Sequence, residues 1–287
     1  MIVGAGMLGT DAFVSAADGR RLRTMTAGES DDLVVLEAGL GMSGLFWGPV
    51  HARVAEHARV VAYERSGYGA SDPDESTRDL AHLADDLLGI LDAQRYRRLV
   101  LVGHSWGGPI VRVVAERLAS SGRAPLGVVL VDQSDEHAAS LYDSSAGRAA
   151  AAMQRALMVP LARMGLLASA TRATAKGLPH PLLDAVATAS STPAAARATA
   201  AELAHVAGGM RDLAGSPPDL SGVGVSVLSG MQHTVFDRRI RARLVAAHRA
   251  TAAEHPGGRL VAAERSGHLI PITEPALVVQ EALRFFE

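Results

Sequence analysis

Residues Gly103-His104-Ser105-Trp106-Gly107, with Gly108 behind them, constrain this chain more than any other stretch. The apolar run Leu99–Val102 leads into them, and a helical pattern, Ile110–Leu118, leads out. A strand that passes into a helix through Gly-x-Ser-x-Gly carries the signature of a nucleophile elbow. The bend is so tight that the positions around the serine must lack side chains, and glycine has no Cβ to collide. It holds the serine hydroxyl above a sheet at a helix N-terminus, where free N–H groups and the helix dipole favour developing negative charge. Pro109 fits there, because a first-turn residue has no intrahelical N–H bond to lose. A plain structural turn is the competing reading of the pentapeptide alone, and its flanking strand and helix favour a catalytic serine.

The chain around this bend alternates strand and helix. Asp11–Ala16 and Arg21–Thr26 flank Asp18-Gly19 and read as a hairpin. Leu33–Glu37 is a buried strand, followed by the glycine-rich loop Ala38–Gly44. A helix at Trp47–His57, a strand at Arg59–Tyr63 and a second glycine-punctuated loop, Glu64–Asp72, come next. Glu75–Asp92 is amphipathic, with Leu80, Leu83, Leu87 and Leu91 at helical spacing. The helix after the elbow is expected to end near Ala119, and Gly127–Val131 forms a further strand that stops at Asp132. Such alternation predicts a parallel sheet with helices on both faces.

The pattern breaks near residue 135. Residues 136–216 are alanine-rich, interrupted by Pro160, Pro179, Pro181 and Pro193, with Ser216-Pro217-Pro218 as the exit. They read as a helical insertion, leaving 1–135 and 217–287 as one core domain. Strand Val223–Leu228, helix Asp237–Glu254, strand Arg259–Ala263 and helix Glu274–Phe286 complete that core.

Composition removes several classes of function. At 287 residues and 48% hydrophobic, the chain suits one large domain carrying an insertion. Net charge is -2 with no basic stripe, so nucleic acid is not an expected partner. The basic residues are nearly all arginine, which reads as coding bias. The absence of cysteine excludes disulfides, thiolate nucleophiles and zinc–thiolate or iron–sulfur sites. No apolar run reaches the ~18 residues of a membrane span, and no basic leader precedes an apolar stretch. A soluble, cytoplasmic protein without a membrane partner is expected. Gly4-Ala5-Gly6-Met7-Leu8-Gly9 is a literal GxGxxG, but a dinucleotide fingerprint needs a full strand before it and a long helix after it. Three residues precede it here, so an N-terminal arm is the favoured reading.

Open parallel sheets bind ligands beyond the carboxyl ends of their strands. Loops 38–44, 103–107, 132–137 and 266–270 should meet there. Serine is a weak nucleophile until a base takes its proton. His268 is favoured among 11 histidines, because nucleophile, acid, base is the chain order of elbow enzymes. A carboxylate should fix the imidazole tautomer. The loop after Val223–Leu228 has no acid before Asp237, so Asp132 is the first candidate, with Asp135 and Asp237 as alternatives. The backbone N–H groups of Leu40 and Trp106 are the expected oxyanion donors.

These motifs resemble those of α/β-hydrolase-fold proteins over about 30–135 and 220–287. Gly103–Gly108 is similar to the family's GHSxGG elbow, and Tyr63–Ser71 to its D-R-x-G-x-G-x-S loop with Glu64 for Asp. Ser266-Gly267-His268 looks like the catalytic-histidine loop, and Ala38-Gly39-Leu40-Gly41 stands where many members have His-Gly. His233 stands where the usual acid would be, and Asp132 matches the members that carry the acid after the strand preceding the insertion. The resemblance implies an α/β fold with a mostly parallel eight-stranded sheet. It also implies that 136–216 form a cap shaping a substrate pocket from Gly39, Leu40, Trp106, Met153 and Met158. The implied activity is hydrolysis of an apolar ester, lactone or thioester through a Ser-His-Asp triad and acyl-enzyme, with no metal or organic cofactor. A serine nucleophile argues against the dehalogenase and epoxide hydrolase branches, which use aspartate. A catalytically degenerate binding protein, or a lyase or cofactor-free oxygenase on the same scaffold, are the alternatives.

Overall fold

The computed structural model describes residues 2–287. In chain order the core begins with β1 (Thr10–Ser15), β2 (Arg21–Ala27), β3 (Asp32–Glu37), α1 (Gly48–Val54), β4 (Arg59–Tyr63), α2 (Leu80–Asp92), β5 (Arg98–His104), α3 (Gly107–Ser120) and β6 (Gly127–Val131). The connection from β6 to the next strand is helical: α4 (Ser140–Asp143), α5 (Ser145–Arg163), α6 (Leu166–Thr174), α7 (His180–Ser190) and α8 (Pro193–Gly215). The chain then returns through β7 (Gly224–Gly230), α9 (Arg238–Glu254), β8 (Arg259–Ala263), α10 (Ile270–Thr273) and α11 (Pro275–Leu283).

All eight strands join one sheet in the order β1-β2-β4-β3-β5-β6-β7-β8. The hairpin pairs Thr10 with Thr26, and β2 also runs antiparallel to β4. Every other pairing is parallel. Successive strand residues face opposite sides of a sheet, which divides the core in two. Leu99 and Leu101 of β5 pack with α2 and α3 on one side, through Leu83, Leu87, Ile110 and Val114. Val100 and Val102 pack on the other with Val50 of α1 and Val278 of α11. Strands covered on both faces read as unbroken apolar runs, and β5 is buried from Leu99 to His104.

One expectation shifts. Helix α2 starts at Leu80, not Glu75, because the Asp79 carboxylate caps it by accepting the His82 N–H at 2.9 Å. The preceding residues close a separate turn in which the Ser76 N–H donates to Asp74 at 2.8 Å. The glycines at 4, 6 and 9 all adopt positive φ in an N-terminal arm with no strand before it. A Cβ at Gly9 would meet the Thr26 carbonyl oxygen at 2.2 Å. The buried Arg23 guanidinium pins the arm by donating to the carbonyls of Val3 and Gly4, at 2.8 and 3.0 Å. These glycines let the arm fit against β2, and they open no helix. No helix among the described residues is long and apolar enough to cross a membrane.

Candidate active site

The bend at the end of β5 leaves no room for side chains. A Cβ on Gly103 would lie 2.4 Å from the Gly107 carbonyl oxygen, and one on Gly107 would lie 2.6 Å from that of Glu37. Ser105 sits between them at φ +53°. Its N–H donates to the Val131 carbonyl at 3.0 Å, and its own carbonyl accepts from Ser134 at 2.9 Å. The bend is thereby stitched to the end of β6. There the chain turns again at Asp132, φ +43°. Ser105 and Asp132 are the two non-glycine residues with positive φ among the described residues. A left-handed backbone costs an L-residue about 1–2 kcal/mol, and strain of this kind concentrates at functional sites.

The Asp132 side chain is wholly buried. It accepts hydrogen bonds from His268 Nδ1 at 2.7 Å, Arg241 Nη1 at 2.6 Å and the Gly230 N–H at 2.9 Å. Burial alone would raise its pKa. The hydrogen bond and charge of His268, with the charge of Arg241, outweigh burial and hold the carboxyl well below the usual range. His268 follows β8, and its ring is 45% exposed, so Nε2 is the nitrogen left for chemistry. Ser105, Trp106, Leu40, Asp132 and His268 line one cavity of about 460 Å³, together with Tyr142 of α4. Leu203 and Val206 of α8 form part of its apolar wall.

His104 points away from this cavity. Its Nε2 donates to the His268 carbonyl at 2.8 Å, and its ring packs against Phe46 and the His268 ring, centroids 5.2 and 4.7 Å apart. Burial, with the neighbouring His268, lowers its pKa to about 3 and keeps it neutral. His104 therefore ties the His268 loop to the end of β5.

The loop after β3 is held from beneath by Arg65. This buried guanidinium donates to the carbonyls of Ala38 and Gly39 at 2.7 and 2.8 Å and to Glu37 at 2.5 Å. It also pairs with Glu202 of α8 at 2.9 Å, and Glu202 accepts from Arg78 at 2.7 Å. Burial alone would raise the Glu202 carboxyl, but the two arginines hold it below its ordinary range. Two guanidinium groups and two carboxylates thus share one buried cluster. It anchors the Leu40 segment to the helical connection. Neither the Leu40 nor the Trp106 N–H donates to another backbone group among the described residues.

Other candidates stand apart. Asp135 is buried but committed to Gln133 Nε2 at 2.9 Å and Thr251 Oγ1 at 2.6 Å. Asp237 is engaged with the Thr234 backbone and hydroxyl at the start of α9, and His233 lies on the surface. Gly39 lies under the bend, where a Cβ would stand 3.1 Å from Ser105 Cβ. The pocket roles expected of two methionines are corrected. Met153 is 65% exposed, and Met158 lines a separate space of about 340 Å³ that shares only Leu40 with the cavity. Five residues apart, they project about 140° from each other on α5. Arg241 escaped the sequence reading. Arg238, Arg239 and Arg241 share the first turn of α9, where the dipole disfavours a cation, and nothing local marks the one that reaches Asp132.

The sequence profile described as "Alpha/beta hydrolase family" matches residues 34–281. The chain belongs to the alpha/beta hydrolase family. "Putative carbamate hydrolase RutD" of Pantoea ananatis (strain LMG 20103) is 44% identical over 78 residues, 27% of this chain and 28% of that protein. "Epoxide hydrolase 4" of Mus musculus is 35% identical over 112 residues, 38% of this chain and 31% of its own length. The matches thus span under a third of either relative. The structure of a thermophilic esterase from Thermogutta terrifontis superposes with a TM-score of 0.70 at 18% identity, covering 97% of this chain and 98% of that one. In this fold the segments that follow β5, β6 and β8 bring Ser105, Asp132 and His268 to the same cavity.

Two outcomes follow from these contacts. Glu202→Gln removes the carboxylate that two buried guanidinium groups share, leaving Arg65 with Glu37 alone and Arg78 with Asp74 alone; loss of one partner of a buried ion pair typically costs about 3–5 kcal/mol, and urea unfolding should show a midpoint lowered accordingly. The second concerns pH. His51, buried on α1 against the Met25 carbonyl, is also pushed down by burial, to about 4. For a base depressed in the folded state, the unfolded chain binds more protons. Stability is therefore full above the ordinary imidazole range and is lost as pH falls through it toward the depressed value. At pH 5 each such imidazole should have cost about 2 kcal/mol relative to pH 8. His51→Gln should unfold with a visibly flatter pH dependence than the parent between those two values.

Proposed function

We propose that this protein is a serine hydrolase that cleaves an ester, lactone or thioester of an apolar acyl group. The observation that carries the reading is the 2.7 Å bond from His268 Nδ1 to Asp132, in the cavity that Ser105 lines. With Nδ1–H held by the carboxylate, Nε2 is the basic nitrogen. It takes the Ser105 proton as Oγ attacks the substrate carbonyl. Asp132 stabilises the imidazolium formed, and the Leu40 and Trp106 N–H groups hold the oxyanion. His268 then returns the proton to the leaving oxygen or sulfur. Water, activated by the same imidazole, releases the acid from Ser105. In this reading α4 to α8 form a cap, and Tyr142, Leu203 and Val206 select an apolar acyl group.

The names borne by its relatives span carbamate, epoxide and ester hydrolysis. Position 105 favours acyl transfer over epoxide opening, since the epoxide route described above uses an aspartate there. A carbamate presents the same kind of carbonyl and would enter the same sequence of steps. The strained backbone at both Ser105 and Asp132 argues against a degenerate scaffold, because a binding protein gains nothing from holding that strain.

A fluorophosphonate probe should label the parent protein, and the parent should hydrolyse 4-nitrophenyl butyrate; Ser105→Ala should do neither. Labelling that survives this change would remove Ser105 from the role. Asp132→Asn should lower kcat by about 10⁴ through the wrong imidazole tautomer. A rate within a few-fold of the parent would show that the carboxylate does not serve His268 in turnover.

A further inference from the structure

A second cavity of about 550 Å³ opens between α5 and α8. It shares Leu141, Tyr142, Leu203 and Val206 with the cavity that Ser105 lines, so one apolar wall separates and joins the two. Its outer lining is cationic. Arg148 and Arg155 enter from α5, and His205 and Arg211 from α8. No carboxylate lines it. Asp143, outside the lining, accepts a hydrogen bond from Arg148 at 3.0 Å and forms an ion pair with Arg211 at 3.3 Å. One carboxylate thus serves two of the three guanidinium groups. Arg155 has no acidic partner among the described residues. Helix α5 carries Arg148, Arg155 and Arg163 and no acidic residue at all, in a chain whose net charge is -2. The small lining residues Gly147, Ala151 and Gly208 leave the arginine stems open to a bound chain.

Resting on the hydrolase reading above, we propose that this second cavity is an anion subsite, and that the preferred substrate is an ester whose far end carries a carboxylate or phosphate. Its apolar middle would lie along Leu141, Leu203 and Val206, with the reacting carbonyl at Ser105. Guanidinium forks suit either oxyanion, since each presents paired acceptors. Charge-assisted hydrogen bonds are stronger than neutral ones and can decide between a charged and a neutral chain end. Residual positive charge at a cavity mouth also speeds the arrival of an anion, an effect that salt weakens.

The test uses 4-nitrophenyl monoesters of succinate, adipate and suberate, each beside its methyl-capped neutral counterpart, and 4-nitrophenyl 6-phosphonohexanoate to tell phosphate from carboxylate. At one chain length or more, kcat/KM should favour the anion over its neutral partner by about tenfold at low salt. That ratio should fall toward one at 0.5 M salt (roughly a fourfold to fivefold Debye-length contraction from ~0.02 M) and in Arg155→Gln. Arg155 and Arg211 are both exposed, so Arg155→Gln and Arg211→Gln are expected to fold, and melting temperatures equal to the parent's would show it. A neutral ester used as well as the anion at every length would overturn the subsite, as would a preference untouched by both substitutions. A readout independent of turnover separates this idea from the hydrolase reading: adipate should raise the melting temperature of Ser105→Ala but not of Ser105→Ala/Arg155→Gln. Adipate binding without any ester turnover would leave the subsite standing and sink the hydrolase reading. Turnover of neutral esters without anion preference or adipate binding would do the reverse.

Discussion

A carboxylate buried at the tip of β6 stays ionised only with donors around it, and the geometry of the cavity rests on those donors. Asp132 achieves it with three donors: an imidazole, a guanidinium and a backbone amide. An ion buried without such partners would be neutralised. Each donor comes from a different element beyond the β6 terminus. The Gly230 amide ends β7, Arg241 opens α9, and His268 follows β8. The interaction therefore exists only when three consecutive units of the sheet are in register.

A second buried charge cluster works on the other flank. Arg65 binds the segment preceding Leu40 by its carbonyls and binds α8 through Glu202. Pairs of this kind contribute little net stability, because desolvation of the ions offsets their attraction. Their effect is geometric: the guanidinium fixes where the two carbonyls point, and so where the following N–H groups point. A loop with alanine at position 38 needs such an external brace. The Tyr68 hydroxyl, 3.0 Å from Thr199 Oγ1, adds a further link between the same two regions.

Much of this was legible in the sequence, for identifiable reasons. Strands β3 to β7 appear as apolar runs because helices cover both faces. The elbow is visible because its glycines are sterically forced, as at Gly103 and Gly107. Asp132 was reachable by elimination, since the loop after β7 offers no acid before Asp237. The supporting residues were not reachable. Arg241 lies 109 positions from Asp132, Glu202 lies 137 from Arg65, and His268 lies 164 from His104. No local pattern encodes such pairs. The methionines misled for a different reason: Met153 and Met158 look like a single apolar stripe in one dimension, yet helical geometry splits them onto different faces. The N-terminal glycines mimic a nucleotide loop because tight packing against a strand and close approach to a phosphate both demand the missing Cβ.

The carboxylate that meets His268 follows β6, and the segment between β7 and α9 contributes no side chain to that contact. Gln232 to Phe236 are exposed, Phe236 to 95%, yet Gln232 bonds the turn before His268, donating its N–H to the Ser266 carbonyl at 2.8 Å and its Nε2–H to the Glu264 carbonyl at 2.7 Å. Substitutions at His233, Val235 and Phe236 would leave Asp132, Arg241 and His268 in their places, whereas Gln232 is tied to the turn before His268 and Thr234 to Asp237 at the start of α9. The three exposed side chains outside those ties are consequently where selection, natural or in the laboratory, can vary the surface without disturbing the contact between Asp132 and His268.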